Sequence, residues 1–131
     1  MSAVNAVQYL LAHNAGLLAV VPIGQIWAGL IPENTPAPAV CVTHISTVRM
    51  NMVSESSRVC TSRVQVSVKA STYKQQGEVL ALVRAALPRS RGTVNSVKLE
   101  SVLLDSEGPD FRDDDAGLFF GSCDYMVTFT E

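Results

Sequence analysis

Residues 63–87 read RVQVSVKASTYKQQGEVLALVRAAL, and the first seven of them alternate Val64, Val66 and Val68 with Arg63, Gln65, Ser67 and Lys69. Alternation with a period of two is the mark of a strand with one apolar and one wet face. Thr72 and Gln75 then form a capping box: the threonine oxygen can accept from the amide three residues on, while the glutamine reaches back. A helix is therefore predicted from Tyr73, with Tyr73, Gln76, Leu80, Val83 and Leu87, widened by Val79 and Ala86, forming the stripe laid on the valine face. Gly77 inside that helix costs about 1 kcal/mol relative to alanine, so close packing on a strand is expected there. In many α/β enzymes a strand-to-helix junction carries a phosphate-binding glycine loop or a nucleophile. This one carries Lys69-Ala70-Ser71-Thr72-Tyr73, with neither.

Working outward, residues 3–20 carry Val4, Val7, Leu10, Leu11, Leu17 and Leu18 at helical spacing, with a break near Asn14-Ala15-Gly16, and Pro22 and Gly24 end the helix. QIWAGLIP (25–32) reads as a short strand, and PENTPAP (32–38) as an irregular connection. Residues 40–48 are a β-branched strand and 59–70 its antiparallel return, joined by a loop over 50–57. Pro88 stops the second helix, residues 94–104 form a fourth strand, and DSEGPDFRDDDAG (105–117) is an acidic, turn-rich segment. The last strand, 118–130, places Phe119, Cys123, Tyr125, Val127 and Phe129 on one face. The expected fold is α+β: a mixed, mostly antiparallel sheet of about five strands flanked by two helices, in the order α-β-β-β-α-β-β.

A chain of 131 residues with 47% hydrophobic content fits a single domain spanning residues 1–131. Its charged fraction is 17%, against roughly 25% for a typical soluble domain, which suggests that part of the surface is made for a neighbour. Thirteen unbroken strand residues span about 43 Å at about 3.3 Å each, whereas a compact chain of this length is roughly 36 Å across. Long strands are thus expected to overhang the core. A net charge of −2 supplies no field for nucleic acid or an acidic membrane. Three widely spaced cysteines, Cys41, Cys60 and Cys123, without a leader-like N-terminus, suit reduced thiols in a cytosolic setting.

Candidate chemistry is thin. Cys41 and His44 have the look of half a zinc site, but residues three apart on a strand face opposite ways. The same objection meets a Cys-His catalytic pair. Asp113, Asp114 and Asp115, with Asp105, Glu107 and Asp110 nearby, lack the spacing that wraps oxygens round calcium. They read as a solvated loop or, on the wall of a channel, as a lining that repels DNA phosphate. Arg89 and Arg91 suit either a helix C-terminus or a phosphate or partner contact. Met50, Met52 and Val53, at a hairpin tip, either fold back on the core or meet another chain. No cofactor, metal or catalytic residue is assigned.

The N-terminal helix, IWAGLIPENTPAPAVCVTHIS, the strand and helix at 63–87, and VKLESVLLDSEGPDFRDDDAGLFFGSCDYMVTF together resemble the small tail-completion, or tail terminator, proteins of tailed bacteriophages. The most specific piece is Ser71, Thr72 and Tyr73 followed by Glu78, Leu82, Val83, Arg84 and Leu87. The resemblance implies a non-enzymatic virion protein that assembles in the host cytoplasm into a ring, usually a hexamer. Such a ring caps the head-proximal end of the tail tube and contacts tail-tube protein and head-tail connector, with DNA only passing through its lumen and no membrane involved. The rival expectations are a head-completion or neck protein of the same virion and, from another class, a small cytosolic enzyme or ligand-binding module, which would need a concave pocket with convergent polar groups.

Overall fold

A computed structural model of the chain describes residues 2–32, 34–50, 59–87, 92–94 and 96–130. The strand and helix at 63–87 take the form their pattern demands. Strand β3 (Val59–Ala70) buries alternate residues from end to end. Thr72, in an extended conformation, accepts from the Gln75 amide at 3.0 Å and starts helix α3 (Tyr73–Ala86). The return half of the box lands one residue early, since Gln75 Oε1 accepts from the Ser71 amide at 2.9 Å and from the Ser71 hydroxyl at 3.0 Å.

The remaining elements are α1 (Ser2–Ala12), a short α2 (Ala15–Leu18), a 3₁₀ turn (Ile23–Gln25), β1 (Ile26–Ala28), β2 (Ala39–Arg49), β4 (Gly92–Val94), β5 (Val97–Glu107), β6 (Phe111–Asp113) and β7 (Leu118–Thr130). The first helix is interrupted where expected: Asn14 accepts from the Leu17 amide at 2.9 Å and caps α2. Among the described residues the sheet has seven strands in the order β1-β2-β3-β7-β5-β4, with β6 continuing the line of β5 beside β7. Only β1 and β2 run parallel; every other pair is antiparallel. The fold is α+β as expected, with two strands more than the sequence indicates. The acidic segment is not a loop: β5 runs through Asp105 to Glu107, and β6 makes a hairpin with β7. The strand expected over 94–104 opens as a small hairpin, because Ser96, at φ 67°, turns the chain between β4 and β5.

Both long helices pack on one face of the sheet, α1 over β1 and β2, α3 over β3 and β7. Val40 and Val42 of β2, Val64, Val66 and Val68 of β3, Tyr125 and Val127 of β7, and Leu99 and Val102 of β5 meet Val4, Val7 and Leu11 of α1 and Val79 and Val83 of α3 in one apolar layer. Two expectations about α3 fail. Tyr73 is exposed, and its ring turns to Phe119 while its hydroxyl reaches Asp110. Gly77 is not a packing glycine, since a Cβ there would meet nothing within 4 Å. The close approach is on the other side, at Gly121 of β7, where a Cβ would enter the Gln76 amide and stand 2.9 Å from Leu80 Cδ1. β7 does not overhang either; it lies inside the sheet, with its helix-side residues buried through Phe129.

Gly121→Ala is expected to destabilise the fold by about 1–3 kcal/mol in denaturant melts, as overpacking does, because Gln76 can yield only by leaving its partner. Gly77→Ala is expected to stabilise by about 1 kcal/mol through helix propensity. Equal effects at the two sites would refute this account of the α3–β7 contact.

Candidate assembly surface

Each long outer strand leaves its neighbours part-way. The outer side of β2 is covered by β1 only at residues 40–42, and that of β5 by β4 only at residues 97–99. Among the described residues, 43–48 of β2 and 100–107 of β5 have no outer strand partner. These stretches carry exposed apolar side chains: Ile45 at 48%, Val48 at 69%, Leu103 at 40% and Leu104 at 44%. Unpaired edges with exposed apolar residues are templates for another chain. Both edges are bulged, β2 at Ile45 and β5 at Glu100 and Asp105.

Met50 follows β2 and is exposed, with its N–H held by Val59 O at 3.0 Å. Met52, Val53, Arg89 and Arg91 lie outside the described residues. The apolar edge residues themselves were not singled out from the sequence. The signal was there in Val102-Leu103-Leu104: three consecutive apolar residues cannot all face the core of a one-sided sheet.

The aspartates do not form one cluster. Asp110 is turned toward α3, where it accepts from the Tyr73 hydroxyl and from Gln76 Nε2 at 2.8 Å. Those two hydrogen bonds, with Tyr73 the larger influence, hold its carboxyl below the usual range, and the same contact raises the Tyr73 phenol. Asp113 accepts from the Asp115 and Ala116 amides at 3.1 and 3.2 Å and closes the β6–β7 turn. Asp114 pairs with Arg112 at 3.0 Å, and Asp115 is exposed. Asp105 reaches Arg63 at 2.7 Å across the open face of the sheet.

Reactive side chains do not converge. Cys41 and His44 lie on opposite faces of β2, as their spacing requires, and among the described residues no three His, Cys, Asp or Glu side chains gather as a metal set. His44 Nε2 lies 2.7 Å from the Thr47 hydroxyl, which lies 2.7 Å from the Ser62 hydroxyl. That chain resembles a relay, but Ser62 is buried, so it works as a side-chain tie between β2 and β3. Burial raises the Cys41 thiol and pushes Cys123 up to about 11, the opposite of activation. A hollow of about 260 Å³ beside α1 is lined by Asn5, Gln8, Tyr9, His13 and Ile23, with Tyr9 and His13 stacked at 3.9 Å between centroids. It holds no nucleophile–base pair. No helix among the described residues is long and apolar enough to cross a membrane.

Among the described residues, the sheet is covered by helices on one face, leaves two edges partly uncovered and gathers no metal-binding set of side chains. The profile of the family described as "Tail completion protein gp17" matches residues 5–130, and the chain belongs to that family. It is a structural protein of phage tail completion, not an enzyme. The fold is shared with a chain from a solved structure titled "Virion of native gene transfer agent (GTA) particle", with a TM-score of 0.73 at 14% identity, covering 98% of this chain and 94% of that one. No curated protein sequence matches.

Asp110 is depressed in the fold, so its contribution is present above the unfolded carboxyl range and lost as pH falls through its lowered value. Tyr73→Phe removes the main cause, and its Asp110 titration midpoint is expected to move up toward the ordinary carboxylate range in a carboxyl-carbon NMR titration. An unmoved midpoint would show that the tyrosine does not hold Asp110.

Proposed function

We propose that copies of this chain form a closed ring, a hexamer in keeping with the family resemblance, at the head-proximal end of a phage tail. There it ends growth of the tail tube and offers its other face to the head-tail connector, while DNA passes through the lumen. The observation that carries this reading is the pair of uncovered strand edges with Ile45, Val48, Leu103 and Leu104 on them. Membership of the tail-completion family supports the place in the tail, and the virion title of the solved chain with the same fold supports a place in the particle. Met50, with Met52 and Val53 beyond it, would reach the next subunit or the tube. Asp115 and Asp114, exposed at the β6–β7 turn, would suit a wall along which phosphate must slide without sticking.

Light scattering on the purified chain, alone and with tail-tube protein, is expected to show one defined oligomer, and tubes polymerised in its presence should stop at their ends. A chain that stays monomeric at high concentration even with tube protein would remove the ring. A ring that joins connector protein but leaves tube growth untouched would move the role to the neck. Met50→Ser should weaken association about tenfold while leaving the melting temperature within a few degrees, because truncating a single exposed interface residue acts on binding rather than on the fold. A lowered melting temperature with association intact would return Met50 to the core.

A further inference from the structure

The two unfinished edges match each other in position, direction and hydrogen-bond phase. Following the registers across β2, β3, β7 and β5, Thr43 shares a row with Gln65, Asp124 and Ser106, and Val48 shares one with Thr61, Thr128 and Ser101. β1 covers β2 up to Val42, in the row of Glu107, and β4 covers β5 up to Leu99, in the row of Arg49. The caps therefore expose the same rows on both sides, residues 43–48 on one edge and 101–106 on the other.

The antiparallel block β2-β3-β7-β5 has an even number of strands, so its edge strands point in opposite directions. Rotation of one copy onto the next about an axis along the strands would bring β5 against β2 antiparallel. The phase agrees too. The Met50 N–H points to β3, so Val48 also faces β3 and Thr47 faces outward. Carried across the sheet, the alternation turns Val102, in the row of Thr47, outward on β5, and the Gly108 N–H bonded to Ser122 O at 2.8 Å fits the same phase. Side chains also suit: Ile45 lies between the rows of Leu104 and Leu103, and Arg49 falls in the row next to the bulged Glu100. The β5 edge carries Glu100, Asp105 and Glu107, whereas residues 43–48 of β2 carry no carboxylate.

We propose that neighbouring copies join head to tail by strand pairing, residues 43–48 of β2 in one copy against residues 101–106 of β5 in the next, so that one sheet continues around the ring. The proposal rests on the ring reading and specifies its junction. Such a contact is heterologous, and repeated it closes into a ring or opens into a filament.

The test uses the full chain with Val48→Cys and Ser101→Cys combined, and each alone. Across the junction these residues form a non-hydrogen-bonded pair, with Cα atoms about 4.5 Å apart, inside the disulfide range of about 4.4–6.8 Å. The native thiols are buried. Mild oxidation of the double variant should give a covalent ladder ending at the ring number, and a mixture of the two single variants should give dimers only. If reduced protein forms rings by light scattering but no ladder appears, the junction is wrong and the ring stands. Abundant dimers from Val48→Cys alone would mean β2 pairs with β2, which also overturns the junction. If wild type and reduced variants all remain monomeric with tube protein, both the junction and the ring fall.

Discussion

Residues Val59–Ala70 and Leu118–Thr130 pair without a single register shift, from Val59 opposite Thr130 to Ala70 opposite Phe119. Because side chains alternate strictly along a strand, one fixed pairing assigns every residue of both strands to a face. Val64, Val66 and Val68 of β3 and Cys123, Tyr125, Val127 and Phe129 of β7 then share a single apolar surface, and α3 has only one place to lie. The irregularities are confined to the outer strands, at Ile45, Glu100 and Asp105. A straight centre with adjustable margins follows from where the burial is: a slip in the middle would turn valines to water, while a bulge at the edge moves residues that are already exposed.

The open face is organised by polar side chains. Thr61 and Thr128 share a hydrogen bond at 3.1 Å, Gln65 donates to Asp124 at 3.3 Å, and Arg63 bridges Asp105 and Asp124 at 2.7 and 3.3 Å. These groups are partly exposed, and pairs of that kind contribute about 0–1 kcal/mol each. Their larger effect is on register. Arg63 can satisfy both carboxylates only if β5 lies beside β7 in the observed alignment, so the ladder selects against slips that the apolar face of β5, reduced to Leu99 and Val102, would resist poorly.

Local periodicity made β3, β7, the Thr72 cap and α3 readable, because for these elements the neighbour that buries them is also the one the pattern implies. What the pattern could not give was partner choice. β4 and β6 are too short to have a period, and each exists because a neighbouring strand offers free backbone groups. Tyr73 occupies an apolar position of the helical stripe, yet it lies at the first turn of α3 and is recruited by Asp110, thirty-seven residues away. The packing role expected of Gly77 falls to Gly121 for a similar reason: a glycine in a helix is visible as a cost, whereas a glycine in a strand opposite a buried Gln76 acquires meaning only once the two elements are packed. The proposed assembly surface was legible only as an excess, sparse charge and strands too long for the core. Its location was not, since the longest strand proved to be central and shorter ones marginal.

In the proposed junction, an edge that pairs with the unlike edge of another copy after folding, but not with other sheets before, would face opposing demands. Long flat edges aggregate, and bulges, charges and short covering strands are the usual protections. All three occur here: β1 and β4 restrict each open edge, Ile45 and Asp105 interrupt it, and the β5 side carries Glu100, Asp105 and Glu107, which pair within the chain with Lys98, Arg63 and Arg84. None of these would prevent a partner that is itself bulged and carries no carboxylate, and residues 43–48 meet both conditions. Two β5 edges would instead bring carboxylates together. The same features that keep the edge from indiscriminate pairing therefore favour unlike edges over like ones, which is the requirement for a directional, closing contact.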